Sequence, residues 1–337
     1  MIAEMTTIDR MLGFKHAFDH PVTIGIVSTI AIALVVSSIL VRTLHGSGKL
    51  SDATFDELIK RIRSWLVLCA AMVIPILLGA AWVCLFFLAL SLTCWWEFTR
   101  ATDLKRRSSM VPVMVAILAT YFAVLDHWMG FFAASWALGM CLIATVALWD
   151  DEPTGYIKRV SIAIIGYALF GVSLGHLAFI GNDVLFRPIL LWLLFCTELN
   201  DVLAYISGKT MGKRKLLPNT SPNKTWGGAL GAIVLTTTVA AFIGHFVFLG
   251  TRLEHPIHLI CMGFLISVFG QCGDLVISSF KRDLNIKDMS NVIPGHGGVL
   301  DRFDSLLLVS PILFHYINYF RGIGIGQPTF IFTGYFN

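Results

Sequence analysis

Charged residues gather in one segment, residues 278–304, of a chain that is otherwise strongly apolar. This segment, SSFKRDLNIKDMSNVIPGHGGVLDRFD, holds four Asp, four Lys or Arg and one His in 27 positions, between two apolar runs. Carboxylates suit Mg²⁺, a hard cation that prefers oxygen ligands, and basic side chains suit phosphate groups. Because charge near a bilayer is costly, we interpret the segment as part of a site for phosphate chemistry.

Helical spacing extends this site into the apolar run before it. Asp274, Ser278 and Lys281 stand at i, i+4 and i+7, which places them on one face of a helix. The glycines of the PGHGG loop permit close backbone approach to a ligand. His296, between those glycines, is suited to donate a hydrogen bond to a phosphate or a leaving group.

A second candidate segment, residues 201–228, joins a carboxylate inside a predicted helix to a basic loop. Asp201 and Tyr205 share a helical face with Glu198, and a carboxylate at this depth needs a cation, a partner or water. The loop SPNKTWGG then places Lys224 between two hydroxyls, and its two glycines let backbone amides approach an anion at a helix start. The spacing of a Walker loop is absent. These residues predict anion binding.

Composition indicates a helical membrane protein. Hydrophobic residues make up 56% and charged residues 14% of the 337 positions, whereas soluble chains carry about 25% charge. The apolar runs predict an all-α, polytopic integral membrane protein with about ten transmembrane helices of roughly 20 residues each. We place them near residues 21–41, 64–79, 81–97, 109–126, 130–148, 160–180, 187–207, 228–249, 257–279 and 304–320.

Two features qualify this division of the chain. The second and third helices share one apolar run, which we split around Pro75 and Gly79. An amphipathic stretch at residues 51–64 is expected to lie along the membrane surface. We therefore expect an N-terminal part, residues 1–63, with one span and this surface helix, followed by a membrane domain. That domain covers residues 64–337, with its catalytic half at about 187–320.

The placement of Lys and Arg predicts the orientation. With ten spans, the segments on one side hold 20 of the 25 basic residues, and the other side, with both termini, holds five. By the positive-inside rule, the charged segments and the active site face the cytoplasm. The net charge of +4 follows from this arrangement, so nucleic-acid binding has little support. The seven Cys lie in apolar runs without a CxxC pair, which indicates buried thiols.

The charged segment also resembles a known signature. Its order, S-x-F-K-R-x4-K-D-x-S-x2-I-P-x-H-G-G-V-x-D-R-F-D, is complete and resembles that of phosphatidate cytidylyltransferases (CDP-diacylglycerol synthases). The D-x-x-A-Y-x-x-G-K and S-P-N-K-T-W elements of that family stand within residues 201–226, and its W-E-F at 96–98. The resemblance covers roughly residues 60–320. One departure is Gly227, where the family usually has Glu; Glu198 is a candidate to supply that carboxylate.

The resemblance implies the reaction CTP + phosphatidate → CDP-diacylglycerol + pyrophosphate, catalysed by a nucleotidyltransferase of phospholipid biosynthesis in a bacterial inner (cytoplasmic) membrane. The phosphatidate phosphate attacks the α-phosphorus of CTP. Since this nucleophile is already an anion, catalysis depends on positioning and charge neutralisation. CTP, bilayer phosphatidate and Mg²⁺ are the expected partners, and a second, monovalent cation is compatible with the site. A homodimer is an expectation from the family.

The expected site residues form three groups. The expected catalytic residues are Asp274, Lys281, Arg282, Asp288, His296, Asp301 and Arg302. The expected substrate-binding residues are Tyr205, Ser221, Lys224, Thr225, Ser278, Lys287, Gly297 and Gly298. The leading Mg²⁺ ligands are Asp274, Asp288 and Asp301, with Asp201 and Asp304 as further candidates.

Three alternatives stay open. A CTP-dependent lipid kinase of the polyprenol or phytol type would release CDP in place of pyrophosphate. A membrane transporter would use the intramembrane carboxylates on an ion path, although such sites usually lie in broken helices near the midplane. A catalytically weak paralogue with a regulatory role is compatible with Gly227.

Overall fold

Long apolar helices dominate the part of the chain that this computed structural model describes, residues 6–104, 106–293 and 297–336. Nine helices within those ranges are long and apolar enough to cross a membrane. A further apolar helix, Leu306–Phe320, has 15 residues. Because almost all the remaining chain consists of short connections, the expected all-α, polytopic membrane architecture is confirmed.

The elements follow one another along the chain with short connections. The helices are α1 (Thr7–Leu12), α2 (Pro21–Gly46), α3 (Asp52–Leu78), α4 (Ala80–Ala101), α5 (Arg107–Leu125), α6 (Met129–Val146), α7 (Tyr156–Gly166), α8 (Leu174–Ile180), α9 (Phe186–Met211), α10 (Trp226–Val247), α11 (Pro256–Asp283), α12 (Leu300–Phe303) and α13 (Leu306–Phe320). The strands β1 (Lys215–Leu217) and β2 (Ser221–Thr225) form an antiparallel hairpin before α10. A π-helical segment, Tyr167–Ser173, joins α7 to α8, so that these three pieces make one span.

Small residues let α9 and α10 approach closely, and this pair forms the centre of the C-terminal half of the bundle. A Cβ on Gly231 would lie 2.4 Å from the Ser207 Cβ, and one on Gly228 would lie 2.7 Å from the Ala204 carbonyl oxygen. Such contacts are typical of membrane helices, whose association depends on close packing. Helix α11 packs on the other side of α10, and α13 packs on α11.

The chain between the second and third spans breaks at one residue. Gly79 has φ 138°, a backbone conformation that side chains disfavour, and it separates α3 from α4. Pro75 stays inside α3. The position of residues 51–64 along the membrane surface stays a prediction. Residues 52–64 are not a separate helix, however: they are the first turns of α3 and continue without a break into the second span. The physical reason is that no Gly or Pro interrupts the chain between Asp52 and Pro75.

Polar contacts close the end of the bundle opposite to the charged segments. The Arg321 guanidinium donates to both carboxylate oxygens of Asp183, at 2.8 and 3.0 Å, and the Gly324 N–H donates to Asp183 at 3.0 Å. Arg10 of α1 donates to the Asn182 side chain at 3.0 Å. These bonds fasten α1 and the C-terminal tail to the connection between α8 and α9.

Candidate active site

A polar cavity of about 650 Å³ opens where α9 and α11 end and α10 begins. It joins residues from the two segments that the sequence singled out, which lie about 50 or more positions apart along the chain. Glycines and small side chains of α9 and α10 complete its walls. The charged residues of the lining are Asp201, Lys209, Lys215, Lys224, Asp274, Lys281, Asp301, Arg302 and Asp304.

An ion pair between Lys224 and Asp274 bridges the two segments. The Lys224 ammonium contacts Oδ2 of Asp274, while the Ser278 hydroxyl donates to Oδ1 at 3.1 Å. The β1–β2 hairpin explains why Lys224 contacts α11. Lys215 pairs with Thr225, so β2 runs back along β1 and places Lys224 near α11. The helical stripe that the spacing predicted, Asp274 with Ser278, is present.

Three carboxylates crowd one part of the cavity. The Ser305 hydroxyl donates to Asp201 at 3.3 Å, and the Ser305 N–H donates to Asp304 at 2.7 Å. Asp304 is 6% exposed, and the negative charges of Asp274 and Asp201 act on it. Only Asp274 of these three forms an ion pair among the described residues. This acidic group therefore has room for a further cation.

The acidic group fits a metal that shares its ligands with a substrate. No three His, Cys, Asp or Glu side chains in the described ranges converge as a complete protein-only metal site. Mg²⁺ is commonly bound by one or two carboxylates together with substrate phosphates. Asp201, Asp274 and Asp304 offer that kind of incomplete ligand set beside basic residues that suit phosphates.

Asp301 uses both of its oxygens inside the protein. Oδ1 accepts a hydrogen bond from the Lys281 ammonium at 2.7 Å. Oδ2 accepts from the backbone N–H groups of Met289 and Gly298, each at 2.9 Å. With an exposure of 7%, Asp301 joins Met289, which precedes the PGHGG loop, to Gly298, the last residue of that loop. Its contacts are those of a positioning residue, whereas the sequence suggested a metal ligand.

Glu97 on α4 is a functional candidate to which sequence reasoning gave no role. It is fully buried and accepts hydrogen bonds from the Ser290 hydroxyl at 2.5 Å and from the N–H groups of Val299 and Leu300 at 2.9 and 2.8 Å. A carboxylate at this point satisfies donors at the start of α12. The signal was the W-E-F element, which places one carboxylate at the end of an apolar run.

Several expected site residues lie away from the described cavity lining. Lys287 and Asp288 are exposed. Arg282 donates to the backbone carbonyls of Thr220 and Ile286, at 3.2 and 3.3 Å, and so holds the hairpin turn against α11. The described lining does not include Ser221.

Two glycines of the PGHGG loop allow the chain to pack closely against neighbouring groups. Gly297 has φ 83°, and a Cβ on Gly298 would lie 2.8 Å from a carboxylate oxygen of Glu97. The neighbouring His296 lies outside the described residues, so its expected role stays a prediction.

Gly227 and Gly228 allow the close packing of α10 on α9, and their expected approach to an anion stays a prediction. A Cβ on Gly227 would lie 2.5 Å from the Met211 carbonyl oxygen, so a Glu at 227 does not fit this approach of α10 to α9. The Gly228 N–H donates to the Thr225 hydroxyl at 3.1 Å, which makes Thr225 the N-cap of α10. Glu198, the candidate to supply the missing carboxylate, lines an apolar groove and is not part of the described cavity lining.

Basic side chains line the cavity from several elements. The Lys209 ammonium lies 4.6 Å from the centre of the Tyr205 ring, and both residues face the cavity. Arg302 is half-buried, and its Nε has no hydrogen-bond partner within the described ranges. The cavity therefore has free donors for polyanionic ligands.

Known proteins show the same pattern over most of the chain. The model of the Cytidylyltransferase family matches residues 59–320. The chain is 34% identical to a phosphatidate cytidylyltransferase of Bacillus subtilis over 232 residues, 65% of this chain and 82% of that protein. It is 32% identical to one of Staphylococcus haemolyticus over 258 residues (75% and 97%). "Uncharacterized protein YnbB" of Escherichia coli is 31% identical over 284 residues (80% and 91%). The chain therefore belongs to the cytidylyltransferase family.

Proposed function

We propose that the protein is a phosphatidate cytidylyltransferase, which makes CDP-diacylglycerol and pyrophosphate from CTP and phosphatidate. The observation that carries the proposal is the single cavity in which Lys224, Lys281 and Arg302 lie beside the acidic residues Asp201 and Asp274. The relatives from Bacillus subtilis and Staphylococcus haemolyticus, which bear this name, support it.

The charges of the cavity match the main difficulty of this reaction, which is to bring two polyanions together. Lys224, Lys281 and Arg302 neutralise and orient the phosphates of CTP and lipid. The lipid phosphate is already an anion, so the reaction requires no strong general base.

Mg²⁺ is the metal that we propose for this site. One or two of Asp201, Asp274 and Asp304, together with substrate phosphates, would hold it, and it would supply positive charge to the triphosphate. Lys224 keeps Asp274 oriented through their ion pair. Asp301 and Glu97 hold the chain around the PGHGG loop in place beside these groups.

We also propose that the cavity faces the cytoplasm, in the inner membrane of a bacterium. The segments at the cavity's end of the bundle carry 20 of the 25 Lys and Arg residues, which favours that side. CTP is a soluble cytoplasmic nucleotide, and phosphatidate stays in the bilayer. A site at the ends of membrane helices is accessible to both.

The test is an assay of the purified protein with labelled CTP, dioleoyl phosphatidate and Mg²⁺, in which both products are identified. CDP-diacylglycerol and pyrophosphate are expected, and EDTA should abolish their formation. Asp274→Asn should lower turnover about 100-fold or more, since it removes a charge at the reacting phosphates. Release of CDP would instead indicate a lipid kinase. Solute uptake by proteoliposomes without consumption of CTP would indicate a transporter.

A further inference from the structure

A second cavity, an apolar groove of about 510 Å³, lies between α2, α3 and α9. Its walls are almost entirely hydrocarbon, with Ala33 of α2, Cys69 of α3 and Leu194 of α9 among them. One carboxylate, Glu198, interrupts this apolar lining. A groove between membrane helices that contains one charged group at a defined depth calls for an occupant with both an apolar and a polar part.

The groove runs along the helices. Helices α2 and α9 end, and α3 begins, at the end of the bundle that holds the polar cavity. Ile62 and Val202 therefore lie towards that end, while Met72 and Leu191 lie towards the membrane interior. The distance along α9 from Leu191 to Val202 is about 16 Å at 1.5 Å per residue. One leaflet of the hydrocarbon core is about 15 Å thick. The groove thus has the direction and length of one lipid chain.

Neighbouring residues of α9 line the groove and the polar cavity. Val202 lines the groove and its neighbour Asp201 lines the cavity. The charges of Asp201 and Arg302 act on Glu198, which lines the groove. A lipid with its phosphate near Arg302 and one chain in the groove would pass Glu198.

We propose that this groove binds an acyl chain of the lipid substrate and that α2 forms the wall that sets which chains fit. This inference rests on the proposed function. Helix α2, Pro21–Gly46, lies before residues 59–320, which the family model matches. On this proposal, the first span is a specificity element that lies outside the part of the chain matched by the family model.

Two Trp substitutions on α2 test the proposal. Ala33→Trp fills the groove, whereas Val35→Trp adds the same side chain at a position that is 57% exposed and outside the groove lining. For Ala33→Trp we expect the KM for dioleoyl phosphatidate to rise about tenfold, since buried CH₂ groups lose their contacts. The KM values for dihexanoyl phosphatidate and for CTP should stay unchanged. Val35→Trp should behave as the unaltered protein.

A labelling experiment separates failure of this inference from failure of the proposed function. Phosphatidate with a diazirine at the end of one chain should label peptides of α2, α3 and α9 in the unaltered protein and in Val35→Trp, and label them less in Ala33→Trp.

If Ala33→Trp and Val35→Trp show the same KM values and the same labelling, the groove holds no substrate chain. A change of oligomeric state in Ala33→Trp without a change of KM would make the groove a contact between copies, against the proposal. Absence of CTP turnover with groove labelling intact would overturn the proposed reaction alone.

Discussion

The carboxylate of Glu97 accepts a hydrogen bond from the backbone N–H of Leu300 at 2.8 Å, across 203 positions of the chain. The same carboxylate accepts from Val299 and from the Ser290 hydroxyl. The chain on either side of the PGHGG loop is therefore held by α4, a helix of the N-terminal half, as well as by Asp301 of the charged segment. Loop position and catalysis should depend on this distant helix.

Replacing Glu97 by Gln should lower turnover while the fold is kept. The Gln amide group presents N–H donors to N–H donors, so the loop loses hydrogen bonds to a charged acceptor. A displacement of the loop by 1 Å is enough to cost about 100-fold. We expect a fall in kcat of about 10- to 100-fold, measured with dioleoyl phosphatidate, and unchanged helical circular dichroism. Arg100→Gln on the same helix, at an exposed position, is the control and should stay within about twofold of the unaltered protein. An equal kcat for Glu97→Gln would contradict the positioning role.

The variants Asp301→Asn and Asp274→Asn should differ in the Mg²⁺ concentration that they need for activity. Asp301→Asn breaks a buried ion pair with Lys281, and such a loss costs about 3 kcal/mol of stability. Its thermal unfolding should therefore occur at a lower temperature, while the Mg²⁺ concentration for half-maximal activity stays the same. Asp274→Asn should shift that Mg²⁺ concentration upwards by about tenfold or abolish activity. A Mg²⁺ shift for Asp301→Asn at unchanged stability would instead make Asp301 a metal ligand.

Gly227→Ala should destabilise the protein, although Ala is the better helix former. Its Cβ would lie 2.5 Å from the Met211 carbonyl oxygen, so α10 has to move away from α9. Overpacking of this kind costs about 1–3 kcal/mol. Gly25→Ala is the matched control, because a Cβ there meets no atom within 4 Å. Thermal unfolding in detergent measures both. An unchanged unfolding temperature for Gly227→Ala would show that the helices are free to separate.

Asp183→Asn should affect stability and leave the reaction unchanged. Asp183 pairs with Arg321 through two hydrogen bonds at the end of the bundle opposite to the cavity. Loss of one charge leaves the partly buried Arg321 guanidinium without its charged partner, at a cost of about 3 kcal/mol. The unfolding temperature should fall, while the KM values for CTP and phosphatidate stay the same. The exposed Asp151→Asn is the control. A change in KM in the absence of destabilisation would mean that the two ends of the bundle are coupled.

The sequence was sufficient for the helices and for most of the cavity's charged residues. Apolar runs near the length of a span can satisfy their backbone groups in a membrane only as helices, so composition and run length predicted the architecture. Helical spacing placed Asp274 and Ser278 on one face, and the structure has them in contact. The helix of the second span begins at Asp52, earlier than predicted, because amphipathicity alone does not end a helix.

Tertiary structure decided what each side chain faces. Asp301 and Asp304 stand three positions apart in the same segment, yet one is enclosed by backbone donors and the other lies among carboxylates. In the sequence, Gly227 is a departure from the family pattern. Only the close approach of α10 to α9 in the structure shows that a side chain does not fit there. Glu97 contacts a loop about 200 positions away. Local spacing determines which residues share a face of one helix. Which other helix that face contacts depends on the packing of the whole bundle, and the spacing of residues along the chain does not determine that packing.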